Sequence, residues 1–203
     1  MARYTGPKHR LARREGFNVL EKTSPSLERR LNIPPGQHGP KGGGRRRPSE
    51  YGQQLREKQK VKRIYGVLER QFVRYVKEAQ KKKGETGLVL LSLLERRLDN
   101  VVYRLRLAKS RSMARQLVGH GHIKINNKRV TIPSYQVRPE EVLTLSTKAM
   151  AMPNLKEMVQ DKEISLPAWL SREGPVGKVK GLPTRNDIET SIQEQLIVEY
   201  YSR

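Results

Sequence analysis

Lysine and arginine side chains recur along one side of the segment between Leu55 and Lys83. Residues three or four positions apart share a face of a helix, so one face would carry Arg56, Lys60, Arg63, Arg70, Arg74, Lys77 and Lys81. Glu57, Glu69 and Glu78 are the acids within this stretch, too few for a solvated helix with alternating charges. The chemistry that this pattern indicates is neutralisation of phosphates, with a log–log salt slope of about −5 to −6 if every cation meets one.

Two other patterns could support different chemistry. His120 and His122 would share one face of a strand, but no third metal ligand lies near them and the chain has no cysteine, so we expect no metal or cofactor. Arg97-Leu98-Asp99 resembles the context of the catalytic aspartate in pseudouridine synthases, yet Asn100 and two valines follow it here. We therefore expect Asp99 to interact with a helix dipole or a neighbouring arginine, and we predict no enzyme activity.

The charge of the whole chain agrees with a polyanionic partner. The 203 residues have a net charge of +22, and 35% of them are hydrophobic. Residues 1–90 hold 23 basic and 8 acidic side chains (+15), residues 91–150 hold 12 and 4 (+8), and residues 151–203 hold 7 and 8 (−1). The first two thirds therefore favour phosphate, and the last third favours packing or protein contact. The longest nearly apolar run, Leu88 to Leu94, is far shorter than the roughly 20 residues of a membrane span, and the basic N-terminus lacks the apolar core expected of a secretory signal.

The elements that must position these cations begin after a segment rich in Gly, Pro and Arg. Ser49 is a candidate helix cap, and Gly66 is expected to divide the stretch from Leu55 to Lys83 into two helices ended by Gly84. Apolar residues recur there at helical spacing and predict a buried stripe: Val61, Ile64, Leu68, Phe72, Tyr75 and Ala79.

A second unit begins near Leu88. The apolar spacing from Leu94 to Leu105 predicts one amphipathic helix, and Ser110 is expected to cap a short helix that ends at Gly119. Strands are predicted at 122–125, 128–131, 135–137 and 142–145, with Asn126-Asn127 as the turn of a hairpin because asparagine tolerates positive φ. The remainder reads as irregular up to an apolar segment over 192–200.

Residues 94–105 closely resemble the start of the S-four type RNA-binding domain. The resemblance continues through Ser110-Arg111, Ala114-Arg115-Gln116-Leu117-Val118, His120-Gly121-His122-Ile123, Asn126, Lys128-Arg129-Val130 and Ile132-Pro133-Ser134-Tyr135. Segments 47–52, 55–61, 65–66, 69–72 and 194–203 are similar to the bacterial or organellar small-subunit ribosomal protein S-four family. This second resemblance runs nearly end to end and is weakest over 146–185.

The resemblance implies an α+β fold. Residues 1–48 would be an extended basic arm, and residues 49–90 a helical domain completed by 186–203. Residues 91–155 would be an inserted S-four type domain, with two helices on a small, mainly antiparallel sheet, and 156–185 an irregular connection. Three departures stand out: many relatives hold zinc through four cysteines, which this chain lacks, Asn127 stands where glycine is usual, and Glu140-Glu141 replaces Gly-Asp.

The resemblance also implies a function, namely primary binding of 16S ribosomal RNA and nucleation of the body of the small subunit. It further implies contact with ribosomal protein S-five, a position near the mRNA entry channel and an influence on decoding accuracy. We expect a location in cytoplasmic ribosomes, or those of an organelle, with no membrane contact and no homo-oligomer. The residues predicted to bind ribosomal RNA are Arg3, Arg10, Arg13, Arg14, Arg45, Arg46, Arg47, Tyr51, Arg56, Lys58, Lys60, Arg63, Arg70, Arg74, Lys81, Lys82, Lys83, Arg111, Arg115, Gln116, His120, Lys124, Lys128 and Arg129.

Two alternative functions stay open. An RNA-modifying enzyme could carry the same domain, but it would need a catalytic domain of more than about 100 residues, and 146–203 leave too little room. A free RNA-binding protein would need neither the long basic arm nor the C-terminal segment that resembles the ribosomal family.

Overall fold

The computed structural model describes residues 4–19, 24–36, 49–160, 165–188 and 192–202. The helices, in chain order, are α1 (Lys8–Glu15), α2 (Pro25–Arg30), α3 (Glu50–Ile64), α4 (Glu69–Lys81), α5 (Thr86–Glu95), α6 (Leu98–Arg104), α7 (Arg111–Gly119), α8 (Thr147–Met150), α9 (Pro153–Gln160) and α10 (Glu194–Ser202). The strands are β1 (Ile123–Ile125), β2 (Lys128–Arg129), β3 (Val142–Leu145), β4 (Leu170–Glu173) and β5 (Val176–Val179), and Arg185–Asp187 form one turn of 3-10 helix.

The chain divides into two compact units. Unit 1 comprises Met1–Lys81 and Ser191–Arg203, and unit 2 comprises Lys82–Thr190, in each case as far as the residues are described. Residues 82–90, which the sequence predicts for the helical domain, therefore lie in unit 2. The expected irregular connection over 156–185 lies there as well.

Local signals begin and end the helices of unit 1. The hydroxyl of Ser49 accepts a hydrogen bond from the backbone N–H of Gly52 at 3.2 Å and caps α3. Gly66 has a φ of +60°, so the helix is interrupted between α3 and α4 at the predicted residue. Helix α4 ends at Lys81, and Gly84 follows with a φ of +113°. The predicted cap and the predicted division into two helices are both confirmed.

Helix α10 packs on α3 in unit 1, and the core gathers around that contact. Val61, Phe72 and Ile197 are fully buried there. Five of the six residues of the predicted apolar stripe are buried, but Leu68 is exposed. Leu68 immediately precedes α4 rather than lying inside a helix, so the break at Gly66 changes the phase of the pattern at that point.

Unit 2 is built on a five-stranded sheet in the order β2-β1-β3-β5-β4, with every neighbouring pair antiparallel. Helices α6 and α7 contact each other and contribute to one hydrophobic core with the strands. Leu98, Val102, Leu117, Leu143 and Trp169 are among its buried members. The predicted α+β class, with two helices on a mainly antiparallel sheet, is confirmed.

The predicted single helix from Leu94 to Leu105 is wrong, because the helix is interrupted between the end of α5 at Glu95 and the start of α6 at Leu98. Arg97 adopts an extended conformation and forms an isolated bridge with Gln136. The backbone N–H of Leu98 then donates to Tyr135 O at 2.9 Å. A loop distant in sequence thus satisfies the first donors of α6, and apolar spacing alone cannot reveal such a partner.

The predicted strand over 135–137 is also wrong, since only Gln136 makes a bridge, to Arg97. Conversely, the segment expected to be irregular holds the end of α9 and the hairpin of β4 and β5. Gly174 and Pro175 form the turn of that hairpin, so these residues signal a tight turn between strands rather than a long loop. Gly177 faces the core, where a Cβ would lie 2.4 Å from Leu105 Cδ1.

The hairpin turn between β1 and β2 provides a first prediction. Asn126 and Asn127 both adopt positive φ, +46° and +65°, as predicted. We expect Asn127→Val to lower the free energy of unfolding of unit 2 by about 1–2 kcal/mol, because a β-branched residue is strained in this conformation. Asn127→Gly should remain within about 0.5 kcal/mol of the original chain. Urea unfolding followed by the fluorescence of Trp169, the one tryptophan of the sequence, measures both.

If Asn127→Val unfolds at the same urea concentration as Asn127→Gly, the turn conformation at this residue does not limit stability.

Candidate nucleic-acid interface

Helix α4 carries a continuous cationic face, defined by Arg70, Arg74, Lys77 and Lys81. All four side chains are exposed, whereas Phe72 and the other apolar residues of the helix face the core. Within the described part of the chain, none of the four forms a salt bridge. The spacing predicted this arrangement, and the cationic face of α4 is available for phosphate groups.

The cations of α3 are arranged differently, because Glu15 of α1 and Glu57 of α3 itself engage them. Arg63 forms a salt bridge with Glu15 of α1, and an Arg56 Nη lies 3.7 Å from the same carboxylate. Lys60 pairs with Glu57 at 3.4 Å. Burial raises the pKa of Glu15, against the opposing attraction of Arg63 and Arg56. Arg56 and Arg63 hold α1 on α3, and Lys60 is paired within α3, so the stripe predicted over both helices is fully open only on α4.

Lys58 is not a surface cation. Only 5% of the residue is exposed, and its Nζ lies 2.9 Å from Glu69 Oε1 and 4.2 Å from the ring centroid of Tyr200. Tyr201 donates a further hydrogen bond to Glu69 at 2.9 Å. The prediction that Lys58 contacts RNA is therefore at odds with its position, because its ammonium group joins α3, α4 and α10.

The acid at this junction has a strongly shifted pKa. Burial raises the pKa of Glu69, but hydrogen bonds from Lys62, Lys58 and Tyr201 outweigh that effect and lower the pKa to about 2. Burial, together with the hydrogen bond to Glu69, raises the pKa of Tyr201. An ionised Glu69 is thus part of what keeps α10 on α3.

This shift predicts how α10 responds to acid. The folded pKa of Glu69 lies below its ordinary 4.5, so ionised Glu69 stabilises unit 1 above about pH 4.5 and that contribution is lost as the pH falls toward 2. We expect Glu69→Gln to accelerate hydrogen–deuterium exchange in Glu194–Ser202 at neutral pH. The difference from the original chain should shrink steadily below pH 4.5.

Glu85→Gln, which removes an exposed acid in the loop before α5, is the matched control and should leave exchange in α10 unchanged. An effect of Glu69→Gln that persists undiminished at the lowest pH would contradict the role given to the ionised carboxylate.

In unit 2, the two arginines predicted on α7 are anchored to buried polar groups. Arg115 Nη1 lies 3.2 Å from Asp99 Oδ2, and Asp99 also receives two hydrogen bonds from Arg97. Arg111 donates to Asn100 Oδ1 at 2.8 Å and lies over the ring of Tyr103. The expected pairing of Asp99 with a neighbouring arginine is confirmed. The anchored guanidinium groups can serve RNA only in a fixed orientation.

The β1–β2 hairpin holds the other predicted cations of unit 2. Lys124 lies directly opposite Arg129, on the face away from buried Ile123 and Ile125. Lys128 is exposed beside the turn. Two like charges directly opposite each other destabilise a hairpin, so this arrangement suits a surface whose charge is neutralised by a polyanion.

His120 and Gln116 are exposed at the end of α7, and the hairpin approaches them there. Arg129 donates to His120 O at 3.2 Å. The guanidinium group of Arg129 occupies the space that a side chain at residue 121 would need, because a Cβ built on Gly121 would lie 2.0 Å from Arg129 Nε. The glycine therefore lets Arg129 cross the end of α7, which brings the predicted residues of α7 and the hairpin together.

The remaining predicted residues fall into two groups. Arg3, Arg45, Arg46 and Arg47 lie outside the described residues. Arg10 and Arg14 are exposed on α1, Arg13 donates to Ile33 O and Pro34 O, Tyr51 is exposed beside Tyr200, and Lys82 and Lys83 are exposed after α4.

Other chemistry finds no support in the described ranges. No group of three or more His, Cys, Asp or Glu side chains comes together there as a metal site would require. Asp99, the one candidate catalytic acid of the sequence, is engaged by Arg97 and Arg115. None of the helices described has the length and apolarity needed to cross a bilayer.

Two contacts that position the interface were not predicted. The guanidinium group of Arg172 donates to Leu105 O, Arg106 O and Met158 O, which joins β4 to the ends of α6 and α9. Glu95 is fully buried and accepts hydrogen bonds from Asn100 and Arg104. An acid directly after Leu93 and Leu94, at the end of the otherwise apolar α5, was the available signal for the second contact.

Comparison with known proteins agrees with this geometry. Residues 3–95 match the family model described as the ribosomal protein S4/S9 N-terminal domain, and residues 96–143 match the S4 domain. The chain is 51% identical over its full length to the small ribosomal subunit protein uS4A of Symbiobacterium thermophilum. It is 52% and 50% identical to the uS4 proteins of Dictyoglomus turgidum and Halothermothrix orenii, again over the whole of both chains. The chain thus belongs to the ribosomal protein S4 (uS4) family.

Proposed function

We propose that the chain is a structural component of the small ribosomal subunit that binds 16S ribosomal RNA. The observation that carries this proposal is the coincidence of full-length similarity to uS4 proteins with exposed cations on α4 and on the β1–β2 hairpin. The role is structural and requires no catalytic step.

Binding rests on phosphate neutralisation and on recognition of RNA shape. The cationic face of α4 lines up four charges along about three turns of helix and can follow a phosphate backbone. The hairpin of unit 2 supplies a separate contact through Lys124, Lys128 and Arg129. Arg111 and Arg115, held by Asn100 and Asp99, present donors in fixed positions, so less side-chain entropy is lost on binding.

We also propose the finer parts of the role, which membership in the family supports. The protein binds 16S ribosomal RNA early and nucleates assembly of the body of the subunit. In the assembled particle it contacts ribosomal protein S-five near the mRNA entry channel and influences decoding accuracy. It acts as one copy per subunit in the cytoplasm, or in an organelle that has its own ribosomes.

A filter-binding titration against the 5′ domain of 16S ribosomal RNA tests the RNA specificity. We expect tight binding that survives competition by transfer RNA, with a log–log salt slope near −5 or steeper. Equal affinity for both RNAs would mean that the cations form a non-specific coat, and it would contradict primary recognition of 16S ribosomal RNA.

Cosedimentation tests the ribosomal location. The protein should remain with small subunits through a high-salt wash because it is an integral part of the particle. Release into the supernatant together with retained RNA binding would favour the alternative of a free RNA-binding protein.

A further inference from the structure

A cavity of about 400 Å³ lies between α1 and α3 in unit 1. Its lining residues are Tyr4, Arg10, Leu11, Arg14, Leu55, Arg56, Gln59 and Arg63. The volume falls in the lower part of the range of about 300–1,000 Å³ that is typical of small-ligand sites. Nothing in the phosphate-binding role of the surface requires a concave site of this kind, so its lining needs a separate explanation.

The spacing of the lining residues shows how the cavity is built. Arg10 and Arg14 are one helical turn apart on α1, and Leu55, Gln59 and Arg63 are one turn apart along α3. Side chains of both helices thus line the same cavity. The salt bridge between Arg63 and Glu15 keeps the two helices together.

One part of the lining fits an anion. Four of the eight residues are arginines, and the adjacent acid, Glu15, already contacts Arg63 and Arg56. Arg10 and Arg14 on the opposite wall are exposed, and neither forms a salt bridge within the described residues. Guanidinium groups are well suited to phosphate oxygens because their planar donors bind in pairs.

The other part of the lining fits a flat ring. Leu11 and Leu55 provide apolar surface, and Tyr4 provides an aromatic face. Gly6 allows Tyr4 to lie close to the backbone, because a Cβ at residue 6 would lie 2.5 Å from the Tyr4 hydroxyl. The side-chain amide of Gln59 offers both a donor and an acceptor, which can pair with the edge of a base. A simple inorganic anion would make no use of these three features.

We propose that this cavity receives one unstacked nucleotide of the bound RNA, with its phosphate at Arg10 and Arg14 and its base between Tyr4 and the two leucines. This inference rests on the proposed RNA-binding function and deepens it. Unstacked bases stacked on aromatic side chains are a common element of RNA recognition. The cavity would fix the register of the RNA on unit 1, which backbone contacts along α4 alone do not do.

Ultraviolet crosslinking of the full chain to the 5′ domain of 16S ribosomal RNA, with mass spectrometry of the peptides, tests the proposal directly. We expect a nucleotide attached to a peptide that contains Tyr4, Leu11 or Leu55. Filling the cavity with Leu55→Trp, or with Leu11→Trp if the first variant folds poorly, should abolish that crosslink. Either variant should lower RNA affinity about tenfold and make the log–log salt slope less steep by no more than about 1, because the stacked base and its single phosphate contact at Arg10 and Arg14 are lost together.

Leu68→Trp adds the same bulk at an exposed position outside the cavity and is the matched control, with no expected change in affinity. Unchanged affinity and no crosslink in the cavity, with RNA binding retained, would overturn the nucleotide site while leaving the proposed function intact. A competition experiment tests whether the occupant is part of the RNA. If adenosine monophosphate binds the free protein and the RNA does not displace it, the assignment of the occupant to RNA is overturned. Failure of the unaltered chain to bind the RNA would instead overturn the proposed function.

Discussion

Replacing Glu95 with glutamine should lower the free energy of unfolding of unit 2 by about 3–5 kcal/mol. Glu95 is fully buried at the end of α5, and its carboxylate accepts hydrogen bonds from Arg104 at 2.8 and 3.0 Å and from Asn100 at 2.7 Å. Glutamine keeps the shape but turns one acceptor into a donor. The guanidinium group of Arg104, whose side chain is 13% exposed, would then lose its counter-charge.

The position of this network explains why the loss should be large. Asn100 donates to the carboxylate and backbone of Glu95 and accepts from Arg111, so one chain of contacts runs from α5 through α6 to α7. Helices α6 and α7 form one side of the hydrophobic core of unit 2. Breaking the contact therefore disturbs the position of two helices as well as one hydrogen bond.

Urea unfolding followed by Trp169 fluorescence measures the effect, since this tryptophan is buried in the same core. Glu140→Gln is the matched control: Glu140 pairs with Lys178 at 2.7 Å, but the two side chains are 69% and 50% exposed. An exposed pair contributes little, so this variant should remain within about 1 kcal/mol of the original chain. Equal loss of stability in the two variants would show that burial of the Glu95 network adds nothing.

The fold of this chain was predictable from sequence wherever a local signal decides it. Ser49 and Ser110 both accept a backbone hydrogen bond at the start of a helix, and Asn126-Asn127 form the turn of a hairpin with positive φ. In each case, the residue stabilises the feature through its own backbone or its near neighbours. Such features do not depend on the rest of the fold.

Elements that depend on distant residues could not be predicted in this way. The break between α5 and α6 is stabilised by backbone acceptors at Tyr135 and Pro133, more than thirty positions away. Strand β5 pairs with β3. Within β5, Gly177 has no side chain and so leaves space for Leu105 in the core. Periodicity reports which face of an element is apolar, but it does not report which partner that face or its backbone meets.

The same distinction separates the cations of the candidate interface. The face of α4 was predicted, because no acid on another described element forms a salt bridge with it. Arg63, which belongs to the same predicted stripe, and Lys58, which does not, were also assigned to RNA, yet Glu15 and Glu69 engage them from other helices. A cation in a helical stripe is thus a good candidate for phosphate contact only after the acids of neighbouring elements are known.

This distinction leads to a prediction for RNA binding. Replacing Arg70, Arg74 and Lys81 together with glutamine should lower the affinity for the 5′ domain of 16S ribosomal RNA by about tenfold or more. The log–log salt slope should become less steep by about 3, roughly one unit for each lost phosphate contact. The fold should be unaffected, because all three side chains are exposed and face away from Phe72 and the core.

A second triple variant separates a localised interface from general attraction by charge. Lys148→Gln, Lys156→Gln and Lys180→Gln remove the same amount of charge from exposed positions of unit 2 that lie outside the predicted site. If α4 contacts the RNA directly, this control should change the salt slope by less than about 1, because no phosphate contact is removed. Equal changes in the two triple variants would show that net charge, and not the cationic face of α4, determines binding. In that case the affinity would follow the overall +22 charge of the chain, and the arrangement of cations on α4 would carry no positional information.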